Sequence, residues 1–377
     1  MNSLNQEICS RCVMDTTDPK IEFFPDGRCS CCRHYDEVSV QDLHADNQGD
    51  AALSNLIEKI KEKGKGQEYD CLIGVSGGVD SSYVAYLVTK RFGLRALAVH
   101  LDNGWNTELA VSNVEQLVKR LGIDLITHVL DWNEFKDIQK SFIKSGISNI
   151  EIPTDHAIWA MLLKTASKRK IPFIIAGNNV VTESIMPESW LYGSKDSLLI
   201  RSIHQHHGSL KMRSYPYLST FDYVNHLIIR GIRWVPILNY IEFNKNKAKE
   251  FLMSDLGWRD YGGKHYESVF TRFFHSGYLP ERFGFDLRKS YLSALICSGQ
   301  LTRSDALIEL NNPPASDDLI KRDREYVLKK LGITEGEYRK ILSEPKRSYL
   351  DYSNTEVLWK RLSFFVKWAR NRITRVG

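Results

Sequence analysis

The sequence predicts an α/β fold: a doubly wound parallel sheet, preceded by a small cysteine-rich unit and followed by a mainly helical region. Three observations predict it. Short apolar runs of strand length alternate with helix-spaced segments between residues 71 and 176, the pattern that builds parallel sheets with right-handed crossovers. A glycine-rich turn, Ser76-Gly-Gly-Val-Asp-Ser-Ser82, joins the first run to the first of these helices. Two Cys-x-x-Cys pairs stand within the first 32 residues. The expected domains are residues 1–45 (a zinc-ribbon-like unit with four cysteine ligands), 50–240 (the sheet) and 241–377 (mainly helical, with a basic tail).

Cys9-Ser-Arg-Cys12 and Cys29-Ser-Cys-Cys32 carry four thiols at the spacing of a tetrahedral zinc site, with Cys31 left over. Two thiolates three positions apart share one metal, and a second such turn closes the set. Phe23-Phe24-Pro25-Asp26-Gly27 reads as a short strand and turn between them. A redox pair, a disulfide or an iron–sulfur cluster are the alternatives. A closed structural metal organises a small domain and does no chemistry.

A polar joint over residues 41–50 precedes an amphipathic helix at Ala51–Lys63, with Leu53, Leu56, Ile57 and Ile60 on one face. Cys71–Val75 is a buried strand, and Val79–Phe92 a helix. Leu94–Leu101 is the second strand, with Asn106 or Thr107 capping a helix to Leu121. Asp124–Leu130, a helix at Trp132–Lys144, a helix opening at Pro153-Thr154-Asp155 and running to Lys168, and a strand at Pro172–Ala176 complete the alternation.

Ligands bind at the carboxyl ends of such strands, so Ser76–Ser82, His100–Asp102 and Gly177–Asn179 should converge. Paired glycines let the backbone approach a ligand, and N–H groups at a helix start cradle an anion. The anion contacts expected are Ser76, Gly77, Gly78, Asp80, Ser81, Ser82, His100, Asp102, Gly177 and Asn178. No Walker lysine and no GxGxxG signature is present. Asp102 is either a ribose contact or a turn residue before Asn-Gly; Asp155 is a helix cap, a Mg2+ ligand, or both. Lys264, in the second glycine-rich element Tyr261–Ser268, and Arg272 beyond it are candidates to neutralise charge on phosphate; with Asp80 and Asp155 they form the catalytic set. His204, His206 and His207 read as surface or substrate contacts on a loop. The aromatic, irregular stretch 180–240 is the expected acceptor pocket.

Composition bounds the rest. With 42% hydrophobic and 26% charged residues in 377, disorder, collagen and coiled coil are excluded. No apolar run approaches ~18 residues, so no membrane association is expected. The first residues lack a basic and an apolar signal region, so a cytoplasmic location is expected. The net charge of +5 is carried by residues 346–377, where eight cations face Asp351 and Glu356. A protein that coats nucleic acid is not indicated. Trp359, Leu362, Phe365, Val366 and Trp368 interleave those cations at helical spacing, which predicts a docked amphipathic helix.

The motifs together resemble one family. Ser-Gly-Gly-x-Asp-Ser is similar to the PP-loop of ATP pyrophosphatases. Cys-Ser-Arg-Cys-Val-Met-x-x-Thr, Gly-Arg-Cys-Ser-Cys-Cys, Pro-Thr-Asp-His-Ala, Lys-His-Tyr-Glu-Ser, Phe-Gly-Phe-Asp-Leu-Arg-Lys and Ser-Gly-Gln-Leu-Thr-Arg extend the likeness over residues 8 to 310. They resemble the PP-loop N-acetyl sugar amidotransferases of bacterial lipopolysaccharide and surface-glycan synthesis. That resemblance implies ATP, Mg2+ and structural Zn2+ as cofactors and a nucleotide-linked N-acetyl sugar as substrate. Its acetamido oxygen would be adenylylated, and ammonia would displace AMP to give an acetamidino sugar. Cys31 departs from the pattern beside the fourth ligand.

No glutaminase is visible. Asn2 follows the initiator methionine where an N-terminal nucleophile would stand, Cys71 lies in a strand, and Cys297 lacks a nucleophile elbow. The resemblance therefore implies a separate glutaminase subunit and a cyclase-like barrel similar to those of histidine biosynthesis. Two rivals share some of these features: a tRNA-thiolating PP-loop enzyme, and a zinc-ribbon adaptor that only senses ATP.

Overall fold

The computed structural model describes residues 7–44, 47–263 and 266–356. Lys264 and the helix expected over the basic tail lie outside the described residues. The chain opens with two cysteine turns and a helix, α1 (Ser30–Asp42), then α2 (Asn47–Gly64). The sheet region follows as β1 (Cys71–Gly74), α3 (Val79–Tyr86), β2 (Ala96–Asp102), α4 (Glu108–Leu121), β3 (Asp124–Val129), α5 (Trp132–Ser145), α6 (Ile152–Arg169) and β4 (Phe173–Ala176). Then come α7 (Val180–Glu183), α8 (Ser197–His207), α9 (Thr220–Val224) and β5 (Arg233–Pro236).

All strand pairs are parallel, in the order β3-β2-β1-β4-β5. The winding reverses between β1 and β4, and that reversal opens the crevice where such sheets bind ligands. Alternate residues of each strand feed two cores. Leu72, Leu97, Val99 and Ile174 pack among α5, α6 and α8 on one face. Cys71, Ile73, Ala98, Phe173 and Ile175 pack with α2, α3 and α4 on the other. Burial on both faces explains why β1 and β4 read as unbroken apolar runs. The edge strand β3 is largely exposed, so its polar residues Asp124, Thr127 and His128 are tolerated.

Helix starts follow local chemistry. The Thr107 hydroxyl accepts from the Ala110 N–H at 3.2 Å, and Asp131 accepts from Glu134 at 2.9 Å, satisfying donors the helix cannot. Asp155 is not a cap: Glu151 holds that position at α6 and Asp155 lies in the first turn. The helix expected to reach Phe92 is α-helical to Tyr86 and ends in a π turn at Leu87–Arg91.

Residues beyond the sheet are helical, as expected: α10 (Lys245–Leu256), α11 (Val269–Phe273), α12 (Leu279–Phe283), α13 (Arg288–Cys297), α14 (Arg303–Leu310), α15 (Asp317–Leu331) and α16 (Glu335–Ser343). α10 covers α3 and α4 on one face of the sheet.

Three expectations are corrected. Residues 23–27 form a turn closed by a single bridge, Phe23 to Cys29, because the second cysteine pair runs directly into α1 and leaves no length for a ladder. The stretch 180–240 is not irregular throughout: it holds β5 and the α-helices α7, α8 and α9. The histidines at 204, 206 and 207 lie on α8, not on a loop. His204 is buried with its Nε2 2.9 Å from Asp137.

Candidate active site

The crevice at the strand reversal is a cavity of about 500 Å³. Ser76 and Gly78 line it from the loop after β1, Asp80 and Ser81 from the first turn of α3, and Gly177 and Asn178 from the loop after β4. The loop is held open by its own bonds. The Gly78 N–H donates to the Ser76 hydroxyl at 3.2 Å, and the Ser81 hydroxyl donates to the Gly78 carbonyl at 3.2 Å. Gly77 has φ +83°, and a Cβ there would stand 2.6 Å from the Ala110 carbonyl oxygen. Only glycine meets both demands. Its carbonyl accepts from the Trp258 indole at 2.8 Å, so the segment after α10 clamps the turn. Gly177 approaches the start of α3 closely; a Cβ would lie 3.1 Å from the Asp80 carbonyl carbon. Ser82 is fully buried and its hydroxyl has no hydrogen-bond partner among the described residues.

The opposite wall, the glycine-rich element apart, is not evident from sequence. Lys245 and Lys249 of α10, Asp260, Tyr261, Gly262 and Glu267 line it. The Lys245 ammonium stands 3.7 Å from an Asp80 carboxylate oxygen, and Lys249 pairs with Asp260 at 2.5 Å. Burial pushes the Asp260 carboxyl up, but the Lys249 ammonium and the Gly262 N–H outweigh it and hold it below the usual range. Burial, then the negative charges of Glu267 and Asp80, keep the Tyr261 phenol neutral and far above its ordinary pKa. Ammonium groups beside a cradle of N–H and hydroxyl donors suit a polyphosphate. Clustered hard oxygens suit Mg2+.

Other expected contacts stand apart from this cavity. His100 is buried behind the loop, its Nδ1 2.8 Å from the Val75 carbonyl and its Nε2 3.1 Å from the Asn106 amide. Asp102 accepts from the Gly104 N–H at 2.9 Å, the turn alternative. Arg272 is committed to Asp323 of α15 by two bonds of 2.6 and 2.7 Å. Asp155 lies near Glu151, whose carboxyl is raised to about 8 by burial, then by the charges of Asp155 and Glu267.

The second centre is the cysteine cluster. Cys9, Cys12, Cys29 and Cys32 are fully buried, with all four sulfurs within 4.8 Å of one another. Cys9 to Cys32 is 3.7 Å and Cys12 to Cys29 is 3.6 Å. Zn–S bonds of about 2.3 Å in a tetrahedron place sulfurs about 3.8 Å apart, so the set is compatible with zinc. Backbone N–H groups of Cys12 and Cys29 donate to the Cys9 sulfur at 3.4 and 3.3 Å. Cys31 is outside the cluster, and Cys297 lies 3.8 Å from Cys32.

The motif Ser-Gly-Gln-Leu-Thr-Arg joins the two centres. Arg303 donates to the carbonyls of Cys9 and Cys12 at 3.0 Å each. Gln300 donates to the Phe243 carbonyl at 2.7 Å and accepts from the Lys245 N–H at 3.3 Å. One turn thus fixes the first cysteine pair and the base of the lysine helix. Lys289 pairs with Asp15, and the Val13 N–H donates to Ser293 at 3.2 Å, completing the dock.

Two segments of the chain match known protein families. Residues 51–185 match the NAD synthase family, and residues 267–365 match the family described as LPS biosynthesis protein WbpG-like, C-terminal domain. A GMP synthase [glutamine-hydrolyzing] of Pyrobaculum aerophilum is 33% identical over 101 residues, 26% of this chain and 18% of that protein. The chain thus spans under a fifth of that relative's length. An uncharacterised protein of Methanocaldococcus jannaschii is 22% identical over 273 residues, 71% of this chain and 81% of its own. The solved NH3-dependent NAD synthetase of Campylobacter jejuni aligns with 76% of this chain and 97% of its own, at 15% identity and a TM-score of 0.30. An ATP-pyrophosphatase-type sheet and a WbpG-like domain therefore occur in one chain.

Proposed function

We propose that this chain belongs with the PP-loop N-acetyl sugar amidotransferases and is an ATP-dependent amidotransferase acting on the acetamido group of a nucleotide-linked sugar. The observation that carries the proposal is the cavity in which the Ser76–Ser82 loop faces Lys245 and Lys249, joined in one chain to the WbpG-like domain. The loop N–H groups, with the hydroxyls of Ser76 and Ser81, hold the β and γ phosphates, and the two lysines offset their charge. Asp80 and Glu267 would hold Mg2+, which when bound neutralises phosphate charge and favours attack at the α phosphorus.

The acetamido oxygen attacks the α phosphorus, a new O–P bond forms, and pyrophosphate leaves. Ammonia adds to the imidate carbon and loses a proton. The C–O bond then breaks, carrying the sugar's oxygen away in AMP and leaving an acetamidino group. Lys245, beside Asp80, is placed to stabilise charge on the phosphates as they separate. The cysteine cluster takes no part in this chemistry and holds structural zinc. Ammonia comes from a glutaminase partner, with a cyclase-like barrel as the second subunit, and the reaction is cytoplasmic. Among the described residues no helix is long and apolar enough to cross a membrane.

Labelling tests the scheme. With an 18O-labelled acetamido group, ATP, Mg2+ and ammonium, mass spectrometry should find the label in AMP and a sugar about one mass unit lighter than the unlabelled substrate, the difference between O and NH. Label recovered in free water or phosphate would refute the adenylate.

A further inference from the structure

A second cleft of about 220 Å³ continues from the ATP cavity and shares Gly262, Gly263, Tyr291 and Glu309 with it. We propose that this cleft is the subsite for the N-acetyl sugar ring of the acceptor, an inference that rests on the amidotransferase reading. Four observations carry it.

The first is provenance. Of its lining, His275, Ser276, Asp286, Arg288, Asn312 and Pro313 all fall within the WbpG-like segment, whereas the loop that faces the phosphates belongs to the NAD-synthase-like segment. The WbpG-like segment thus builds most of the cleft beside the candidate ATP cavity. The second is charge. The second cleft presents His275, Ser276 and Asp286. Its arginine, Arg288, is held by Asp286 through bonds of 2.7 to 3.1 Å and donates to the Glu309 carbonyl at 3.1 Å. With that guanidinium neutralised in place, a neutral ring of hydroxyl and amide groups finds carboxylate, imidazole and hydroxyl partners there.

The third is rigidity. The Tyr266 hydroxyl donates to the Pro314 carbonyl at 2.9 Å, and the Tyr291 hydroxyl donates to Glu309 at 3.2 Å. Burial, then the Glu309 charge, raises the Tyr291 phenol well above its ordinary range, so it stays a neutral hydroxyl. Polar groups whose positions are fixed in advance lose little freedom on binding. The fourth is size: the cleft suits one sugar ring better than a nucleotide, and its shared wall sets such a ring beside the ATP cavity. This replaces the stretch 180–240 as the acceptor pocket.

The test fills the cleft from its exposed rim, using Asn312→Trp and Pro313→Trp in separate full-length variants. Acceptor KM is measured through AMP formation with ATP, Mg2+, ammonium and UDP- or CMP-linked N-acetyl sugars, and ATP binding by calorimetry. Acceptor KM should rise about tenfold or more while the Kd for ATP stays within about twofold. An unchanged acceptor KM in both variants overturns the assignment. Should the wild-type chain form no acceptor-dependent AMP, the amidotransferase reading fails, and saturation-transfer NMR with the same sugars decides the subsite. Ring and acetamido signals lost in the variants uphold it; absent signals, or signals the variants leave intact, overturn it.

Discussion

Adjacent glycines in the phosphate loop should respond to alanine in opposite ways. At Gly77 the backbone has φ +83°, and a methyl group would sit 2.6 Å from the Ala110 carbonyl oxygen. The left-handed conformation costs a non-glycine residue about 1–2 kcal/mol. Relieving the overlap with a helix backbone costs about 1–3 kcal/mol more. Gly77→Ala should therefore lower unfolding free energy by about 2–5 kcal/mol, read as a shift in urea midpoint without a change in slope. At Gly78 φ is −74°, an ordinary value, and the nearest neighbour of a methyl would be the Ser76 hydroxyl at 3.2 Å, with Glu267 and Tyr261 at 3.4 Å. The added group points into the ATP cavity rather than into the core. Gly78→Ala should change stability by under about 1 kcal/mol yet weaken ATP binding by about tenfold or more, because it crowds the position where phosphate meets the N–H groups. Calorimetric ATP titration beside urea denaturation separates the two effects. Wild-type ATP affinity in Gly78→Ala, or wild-type stability in Gly77→Ala, would refute the reasoning.

Three further outcomes follow from other contacts. Arg272→Met should cost about 3–5 kcal/mol, because it strands the buried Asp323 carboxylate, and the double change with Asp323→Leu should recover much of that loss in thermal denaturation; no recovery would mean that Arg272 serves something other than Asp323. Cys12→Ser should drop bound zinc below one per chain, and Arg303→Ala should weaken zinc retention against a chelator, since it removes the donors to the Cys9 and Cys12 carbonyls; full zinc occupancy in Cys12→Ser would contradict the site. Glu151 has a folded pKa raised from 4.5 to about 8, so it contributes fully to stability below about pH 4.5 and loses that contribution as pH rises through about 8. Glu151→Gln should flatten the fall in stability across that window, and an unchanged pH profile would count against the burial of its charge.

Much of this architecture can be read from residue order, because parallel strands buried on both faces leave unbroken apolar runs. Cys71–Gly74 and Phe173–Ala176 are legible for that reason. Arg233–Pro236 is not: it is four residues long, lies at the sheet edge and carries charged and aromatic side chains, so it has no apolar run to announce it. The phosphate loop is legible because glycine, aspartate and serine there answer one local demand. Lys245 and Lys249 are not, since lysines on an amphipathic helix look like any solvated face until α10 is seen to cover the crevice. His100 and Arg272 are plausible by type and position, yet tertiary partners absorb both: Val75 and Asn106 take the imidazole, and Asp323 takes the guanidinium. The histidine of Pro-Thr-Asp-His-Ala has a similar explanation. His156 lies 3.0 Å from the Ser194 carbonyl, accepts from the Leu218 N–H at 3.0 Å, and is kept neutral by burial, which lowers its pKa to about 4. Conversely, Arg303 and Gln300 show no chemistry in sequence because each acts on a distant backbone.

The identity of the spent nucleotide tests the central claim most directly. With ATP, Mg2+, ammonium and a nucleotide-linked N-acetyl sugar, phosphorus NMR should show AMP and pyrophosphate accumulating together, one of each per acetamidino sugar formed. ADP and inorganic phosphate in their place would mean that cleavage falls at the γ phosphorus and that the Ser76–Ser82 loop does not hold the leaving group.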